Sequence, residues 1–306
     1  MRQAFCNALV NAASNPDFVF LTGDLGYLAL EPLRDVLGDR FINAGIAEQN
    51  MVSVAAGLAG DGLRPWVYSI APFVWARPFE QIRNDVCLHD LPVVLVGNGG
   101  GYGYGVMGST HHSLEDYGAL LSLPNMRAWV PAFDGDVGAA VSELMTYSHP
   151  AYLRLGLSEE PKQIPLPAYG AWRKLLHGNG ATLLAVGPLA GGILSAAASV
   201  VEEKRPSIWL VSEFPIPGLP EAFLADLERS QHLFVVEEHV AHGGAAEMLA
   251  LRLMAAGKAP RRFEHRSAGG SAGVSGSQKF YRRNCGLDAE SVLAALGIGS
   301  GPEWRI

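Results

Sequence analysis

Three cysteines in 306 residues, Cys6, Cys87 and Cys285, are too few and too scattered for a disulfide framework or a zinc motif. A sparse, odd set fits a reducing compartment, and each thiol reads as a small buried hydrophobe. Positive charge is also short. With 23 Lys and Arg against 30 Asp and Glu, the chain carries a net charge of −7 and no basic run. That balance argues against nucleic acid or an anionic membrane as partner. The N-terminal stretch MRQAFCNALVNAASNPDF has apolar residues at helical spacing as far as Asn15-Pro16. It lacks the long apolar run of a signal peptide, so a cytoplasmic location is expected. One uncharged run, residues 181–201, is long enough to cross a bilayer. Gly187-Pro188 and Gly191-Gly192 divide it, which predicts strand, loop and helix in a soluble domain.

What is present points to a large core: 49 % of residues are hydrophobic and 17 % charged, in a length that suits two domains. Short β-rich runs at 18–24, 40–45, 64–69, 91–98, 126–131 and 151–156 alternate with helical patterns at 47–59, 76–88, 114–122 and 134–148. Uncharged strands alternating with helices predict an α/β fold with a parallel sheet covered on both faces. The same alternation resumes after a proline-rich and charged stretch. The expected organisation is therefore two three-layer α/β domains, 1–157 and 175–306, joined by a linker over 158–174. The final ten residues, GIGSGPEWRI, read as a loose or docked tail.

Ligands of open parallel sheets bind beyond the carboxyl ends of the strands. That edge should carry Asp24, Glu48, Phe73 and the loop 97–112. Glu48 shares a helical stripe with Val52, Ala55 and Ala59, a face destined for a core. A carboxyl group there should have a raised pKa and suits proton transfer to a heterocycle. The alternative is a water-facing glutamate complementing the helix dipole. Ser113 and Asp116 resemble a capping box that starts a helix near residue 114, leaving His111 and His112 on the loop before it. Substrate or cofactor contact by one of them ranks above solvent exposure. Zinc ligation with Glu115 and Asp116 ranks last, because adjacent histidines point apart. The loop GNGGGYGYGVMG matches no phosphate-binding fingerprint, so close backbone approach and plain flexibility both remain open. Gly60-Asp61-Gly62 with Asn84 imitates a thiamine diphosphate metal motif, but it precedes a strand at the opposite edge and reads as a turn.

The segments GIAEQNMVSVAAGLAGDGLRPWVYS, PFVWARPFEQIRNDV and GSTHHSLEDYGALLSLPNMRAWVPAFDGDV together resemble the pyrimidine-binding domain of transketolase-like enzymes. FVVEEHVAHGGAAEMLA resembles the C-terminal domain of the same group. The resemblance implies thiamine diphosphate as cofactor. Glu48 would hydrogen-bond N1′ of its aminopyrimidine and so promote loss of the thiazolium C2 proton. Phe73 would stack on the pyrimidine, and Asp24 would lie near the cofactor. His111 would contact donor oxygens, and Arg2 falls where the family binds a sugar phosphate. The family's second phosphate-binding arginine is replaced around Leu157, with Arg154 near. A further histidine and an aspartate of the family appear as Gly99 and Met107. Met1 is expected to open directly on the pyrimidine-binding domain, without the diphosphate-binding domain that precedes it in the family. The resemblance thus implies a split enzyme whose N-terminal subunit brings Mg2+ and the diphosphate contacts, in an α2β2 assembly. No metal site is expected in this chain.

The expected function is transfer of a two-carbon ketol unit between a ketose donor and an aldose acceptor, sugar or sugar phosphate. Two alternatives stand beside it. One is a 2-oxoacid dehydrogenase β-subunit or a deoxyxylulose-phosphate-synthase-like carboligase. The other is a non-catalytic scaffold subunit.

Overall fold

The structure, a computed structural model, describes residues 1–161, 164–269 and 275–299. Of the expected C-terminal tail, residues 300–306 lie outside the described residues. Six strands of the first half are parallel: β1 (Phe18–Thr22), β2 (Phe41–Asn43), β3 (Arg64–Ile70), β4 (Val94–Asn98), β5 (Arg127–Trp129) and β6 (Ala151–Leu155). Their spatial order is β5-β6-β4-β3-β1-β2. Every side chain of β1 is buried, as the uncharged FVFLT run requires of a strand covered on both faces.

The first-half helices are α1 (Arg2–Ala12), α2 (Glu31–Leu37), α3 (Glu48–Gly60), α4 (Ala71–Trp75), α5 (Phe79–Gln81), α6 (Asp116–Leu120) and α7 (Asp134–Leu144). Phe5 and Leu9 of α1, Leu33 of α2 and Val137 of α7 pack on one face of the sheet with Phe20 and Trp66. Met51, Val52 and Ala55 of α3 cover the other face with Leu21 and Val67. The helix expected over 76–88 begins only at Phe79, after a turn over 76–78 that separates it from α4. Pro78 has no N–H to donate and crowds the residue before it, so α4 ends at Trp75 and the chain turns before α5. A single turn of π-helix, Ile82–Cys87, follows.

The second half contains β7 (Trp172–Leu176), β8 (Thr182–Val186), α8 (Leu189–Ala197), β9 (Ser207–Val211), β10 (Glu213–Phe214), α9 (Glu221–Ser230), β11 (His232–Val236), α10 (Ala245–Ala255), β12 (Arg262–Arg266), α11 (Gln278–Asn284) and α12 (Ala289–Ala295). Its five-stranded sheet runs β12-β11-β8-β9-β7, with β7 antiparallel at the edge. β7 begins at Trp172, so a strand claims the last three residues of the stretch read as linker. The uncharged run 181–201 divides into β8 and α8 at Gly187-Pro188. No helix among the described residues is long and apolar enough to cross a membrane.

β10 leaves its own half and pairs antiparallel with β5, adding a seventh strand to the first sheet. Phe214 then stacks on Tyr117, with ring centroids 5.0 Å apart. One continuous core joins α3 and the first sheet to Phe223 of α9 and Leu249 of α10.

Candidate active site

α3 begins at Glu48, directly after the loop 44–47 that leaves β2, and its first side chain turns inward. Glu48 is 5 % exposed, with Val52, Ala55 and Ala59 buried along the same stripe. The water-facing alternative is therefore excluded. A carboxylate so placed needs a counter-charge, and Arg77 supplies it: Nη1 donates to Glu48 Oε1 at 2.6 Å. Pro72 sits in the first turn of α4 and sets Phe73 beside this pair. The Arg77 guanidinium carbon lies 3.7 Å above the Phe73 ring centroid. The His111 ring meets Phe73 edge-on at 5.1 Å. Glu48, Phe73 and His111, three of the residues singled out in the sequence, thus form one group.

His111 is carried by a lobe closed at its base by paired hydrogen bonds between Gly101 and Ser113. Asp116 anchors that base. It is fully buried, and its carboxylate accepts from Ser113 Oγ at 3.1 Å, Tyr152 Oη at 2.8 Å, Arg154 Nε at 2.8 Å and the Tyr117 N–H at 2.9 Å. Ser113 Oγ also accepts from Trp75 Nε1 at 2.9 Å, which ties α4, and so Phe73, to the His111 lobe. Asp116 is therefore a buried anion and not a capping side chain, and α6 starts at Asp116, later than the capping-box reading placed it. Burial opposes the charge of Arg154, but Asp116, Tyr117, Tyr152 and Glu238 outweigh it and hold the guanidinium's pKa above its ordinary value. Arg154 is committed here and to the carbonyls of Ser113 and Glu238, so it cannot stand in for the phosphate-binding arginine missing at the exposed Leu157.

The two adjacent histidines part company. His112 is buried, its Nε2 is 3.2 Å from the Gly105 carbonyl, and its ring abuts Tyr102 and Tyr281. His111 stays at the site, with Nδ1 3.0 Å from Thr110 Oγ1. The glycine-rich loop is packed, neither a phosphate cradle nor slack. A side chain at Gly101 would strike Glu238, and one at Gly99 would strike the Tyr104 ring at 2.3 Å. Tyr104 thus fills the space beside Gly99. Its hydroxyl accepts from Asn98 Nδ2 at 2.6 Å, and its ring lies 6.2 Å from His111. Burial pushes the Tyr104 phenol up, while Asn98 and Arg2 favour its ionised form, which sets the exposed Arg2 within electrostatic reach.

Asp24 is on the same sheet edge but is held apart from the Glu48 group. It has a left-handed backbone (φ 48°) and exchanges hydrogen bonds with Asn43 at 3.0 and 3.1 Å. It lines a cavity of about 320 Å³ with Tyr27, Glu31 and Arg34. Asp61 and Gly62 form the turn between α3 and β3, and Asn84 donates to Glu80 within its own helix. Sequence reasoning missed Arg77 and Tyr104. The signals were Pro78, which ends α4 ahead of Arg77, and an aromatic residue within a glycine run.

Residues 1–161 match the family described as the transketolase pyrimidine binding domain. The chain belongs to that family. It is 31 % identical over 300 residues to a subunit of the apulose-4-phosphate transketolase of Actinobacillus succinogenes, covering 96 % of this chain and 94 % of that protein. It is 34 % identical over 271 residues to 1-deoxy-D-xylulose-5-phosphate synthase of Nitratidesulfovibrio vulgaris, where 84 % of this chain spans 41 % of the longer relative. A solved structure described as a split gene transketolase, inactive beta4 tetramer, superposes with a TM-score of 0.81 at 28 % identity, covering 97 % of this chain and 96 % of that one. The α/β architecture and the likeness to transketolase C-terminal subunits are thus established together. Use of thiamine diphosphate belongs to the family. The Glu48 group fits its aminopyrimidine, because the Phe73 face already receives a flat group and the buried Glu48 carboxyl already hydrogen-bonds one of that group's nitrogens.

Proposed function

We propose that this chain is the C-terminal subunit of a split transferase that moves a two-carbon ketol unit from a ketose to an aldose. Thiamine diphosphate, when bound, supplies a carbon nucleophile for the ketose carbonyl. Glu48 holds and returns the proton at the ring nitrogen N1′ from a side chain that is itself shielded from water. Phe73 holds the face of the same ring, and Asp24 stands on the cofactor side of the sheet edge. His111 and Arg2 bind the sugar, with the imidazole on polyol oxygens and the guanidinium on a phosphate or other anion. An N-terminal subunit grips the diphosphate and Mg2+, and two copies of each chain make an α2β2 enzyme. The free thiols of Cys6, Cys87 and Cys285 suit a cytoplasmic setting.

The near end-to-end match to a transketolase subunit carries this reading. A branched ketose phosphate such as apulose 4-phosphate is the first donor to test, since Gly99 and Met107 depart from the residues that serve linear sugar phosphates. The test combines this chain with an N-terminal transketolase subunit and follows ketol transfer. Activity requires both chains, and Glu48→Gln lowers turnover about 10²–10⁴-fold. Activity of this chain alone, or near-normal turnover of the variant, refutes the assignment. The match to 1-deoxy-D-xylulose-5-phosphate synthase favours a second reading, a carboligase using a 2-oxoacid donor. Release of CO2 from pyruvate by the reconstituted pair identifies it.

A further inference from the structure

Arg77 is the one member of the Glu48 group that the proposed chemistry does not use. It lies in the turn 76–78, and its side chain is 43 % exposed, whereas the Glu48 side chain it reaches is 6 % exposed. Its guanidinium is flat, cationic, 3.7 Å above the Phe73 centroid, and donates to Glu48 Oε1 at 2.6 Å. These match the two contacts proposed for an aminopyrimidine in such a pocket: a ring face on an aromatic face, and the ring nitrogen N1′ sharing a proton with a buried carboxyl group. Stacked planar groups approach to about 3.5 Å, so a second one cannot enter between the guanidinium and Phe73.

We infer that Arg77 is an internal ligand of the pyrimidine pocket, which the cofactor ring must displace. The Arg77–Glu48 pair and the bound ring exclude each other. The inference rests on the reading that Glu48 and Phe73 hold that ring. The exchange keeps the buried carboxyl group compensated throughout, by guanidinium before and by the proton it shares with N1′ after. The backbone does not have to move: Gln49 Nε2 donates to the Arg77 carbonyl at 3.3 Å, and the half-exposed side chain has solvent to swing into. Displacement also selects the ligand. A group that brings only a diphosphate offers neither contact and leaves Arg77 in place.

Binding of thiamine to this chain, followed by calorimetry and thermal shift, tests the exchange without any turnover. Arg77→Ala removes the competitor and should bind thiamine about tenfold more tightly than the wild type. Added methylguanidinium should compete with thiamine in Arg77→Ala and not in the wild type. Arg77→Lys, which keeps the charge but not the plane, should also bind more tightly, and it serves if the alanine variant folds poorly. If Phe73→Ala and Glu48→Gln abolish thiamine binding but neither Arg77 variant improves it, the exchange is refuted and the pocket stands. If thiamine binding is indifferent to Phe73 and Glu48, or absent throughout, the pocket reading fails and takes the exchange with it. A crystal structure of the wild type with thiamine diphosphate gives the direct readout: the guanidinium lies away from Phe73, and finding it still stacked there overturns the inference.

Discussion

Asp116→Asn isolates the support beneath the His111 lobe from the chemistry above it. The substitution preserves shape and removes one charge and one acceptor. The native carboxylate accepts three hydrogen bonds at Oδ2 and one, from Tyr117 N–H, at Oδ1. Whichever way the asparagine amide is turned, its NH2 faces at least one donor, a loss of about 1–3 kcal/mol. Arg154 meanwhile keeps its charge, 4 % exposed, facing a neutral amide and the carbonyls of Ser113 and Glu238 in place of a carboxylate. Stranding a buried cation costs about 3–5 kcal/mol. With partial relaxation, the net effect should be roughly 4 kcal/mol, or on the order of 10 °C in melting temperature. Thermal unfolding by circular dichroism and calorimetry measures it. The double variant Asp116→Leu with Arg154→Met removes both charges and should fall short of the summed single effects by about 2 kcal/mol. An Asp116→Asn protein melting within about 2 °C of the wild type would refute a charge-supported lobe.

Two further outcomes follow from neighbouring groups. His239 stacks on Tyr117 at 3.9 Å, its Nδ1–H donates to the Val240 carbonyl at 2.7 Å, and Nε2 accepts from Gly118 N–H at 3.2 Å. Burial first, with Arg154 adding, holds its pKa below the ordinary value against the opposing pull of Asp116 and Glu237. The unfolded chain therefore takes up a proton below about pH 6.5 that the folded imidazole resists, so stability falls as pH drops from there toward the folded pKa and is flat above. Melting curves between pH 7.5 and 5.5 should show that slope, and His239→Gln should lose it; equal slopes would refute the assignment. We place Tyr104, with its ring 6.2 Å from His111, beside the proposed sugar site. Tyr104→Phe should therefore raise the sugar KM roughly tenfold in the reconstituted enzyme with little change in kcat. Unchanged KM would remove Tyr104 from the sugar site.

Much of the fold was legible because buried parallel strands carry few charges, and the runs at 18–24, 64–69 and 151–156 fell on β1, β3 and β6. Glu48 was legible for the same reason, as an acid on a stripe of small apolar residues. What escaped depends on tertiary partners. The edge strand β12, RFEHR, has one apolar residue in five and lacks any buried-strand pattern. Asp116 imitated a cap because a cap and a buried counter-ion use the same residue types, and only β6, folded alongside, reveals Arg154 as its partner. Arg77 belongs to no periodic element, and its role arises solely from where Pro78 stops the helix.

The strand β10 bears on where this polypeptide tolerates division. Severing the backbone between its two sheets would strip β5 of its outer neighbour, withdraw Phe214 from beneath Tyr117, and bare unpaired amides ready to recruit foreign chains. Any scission that leaves both pieces well behaved has to fall outside the span from β5 to β10.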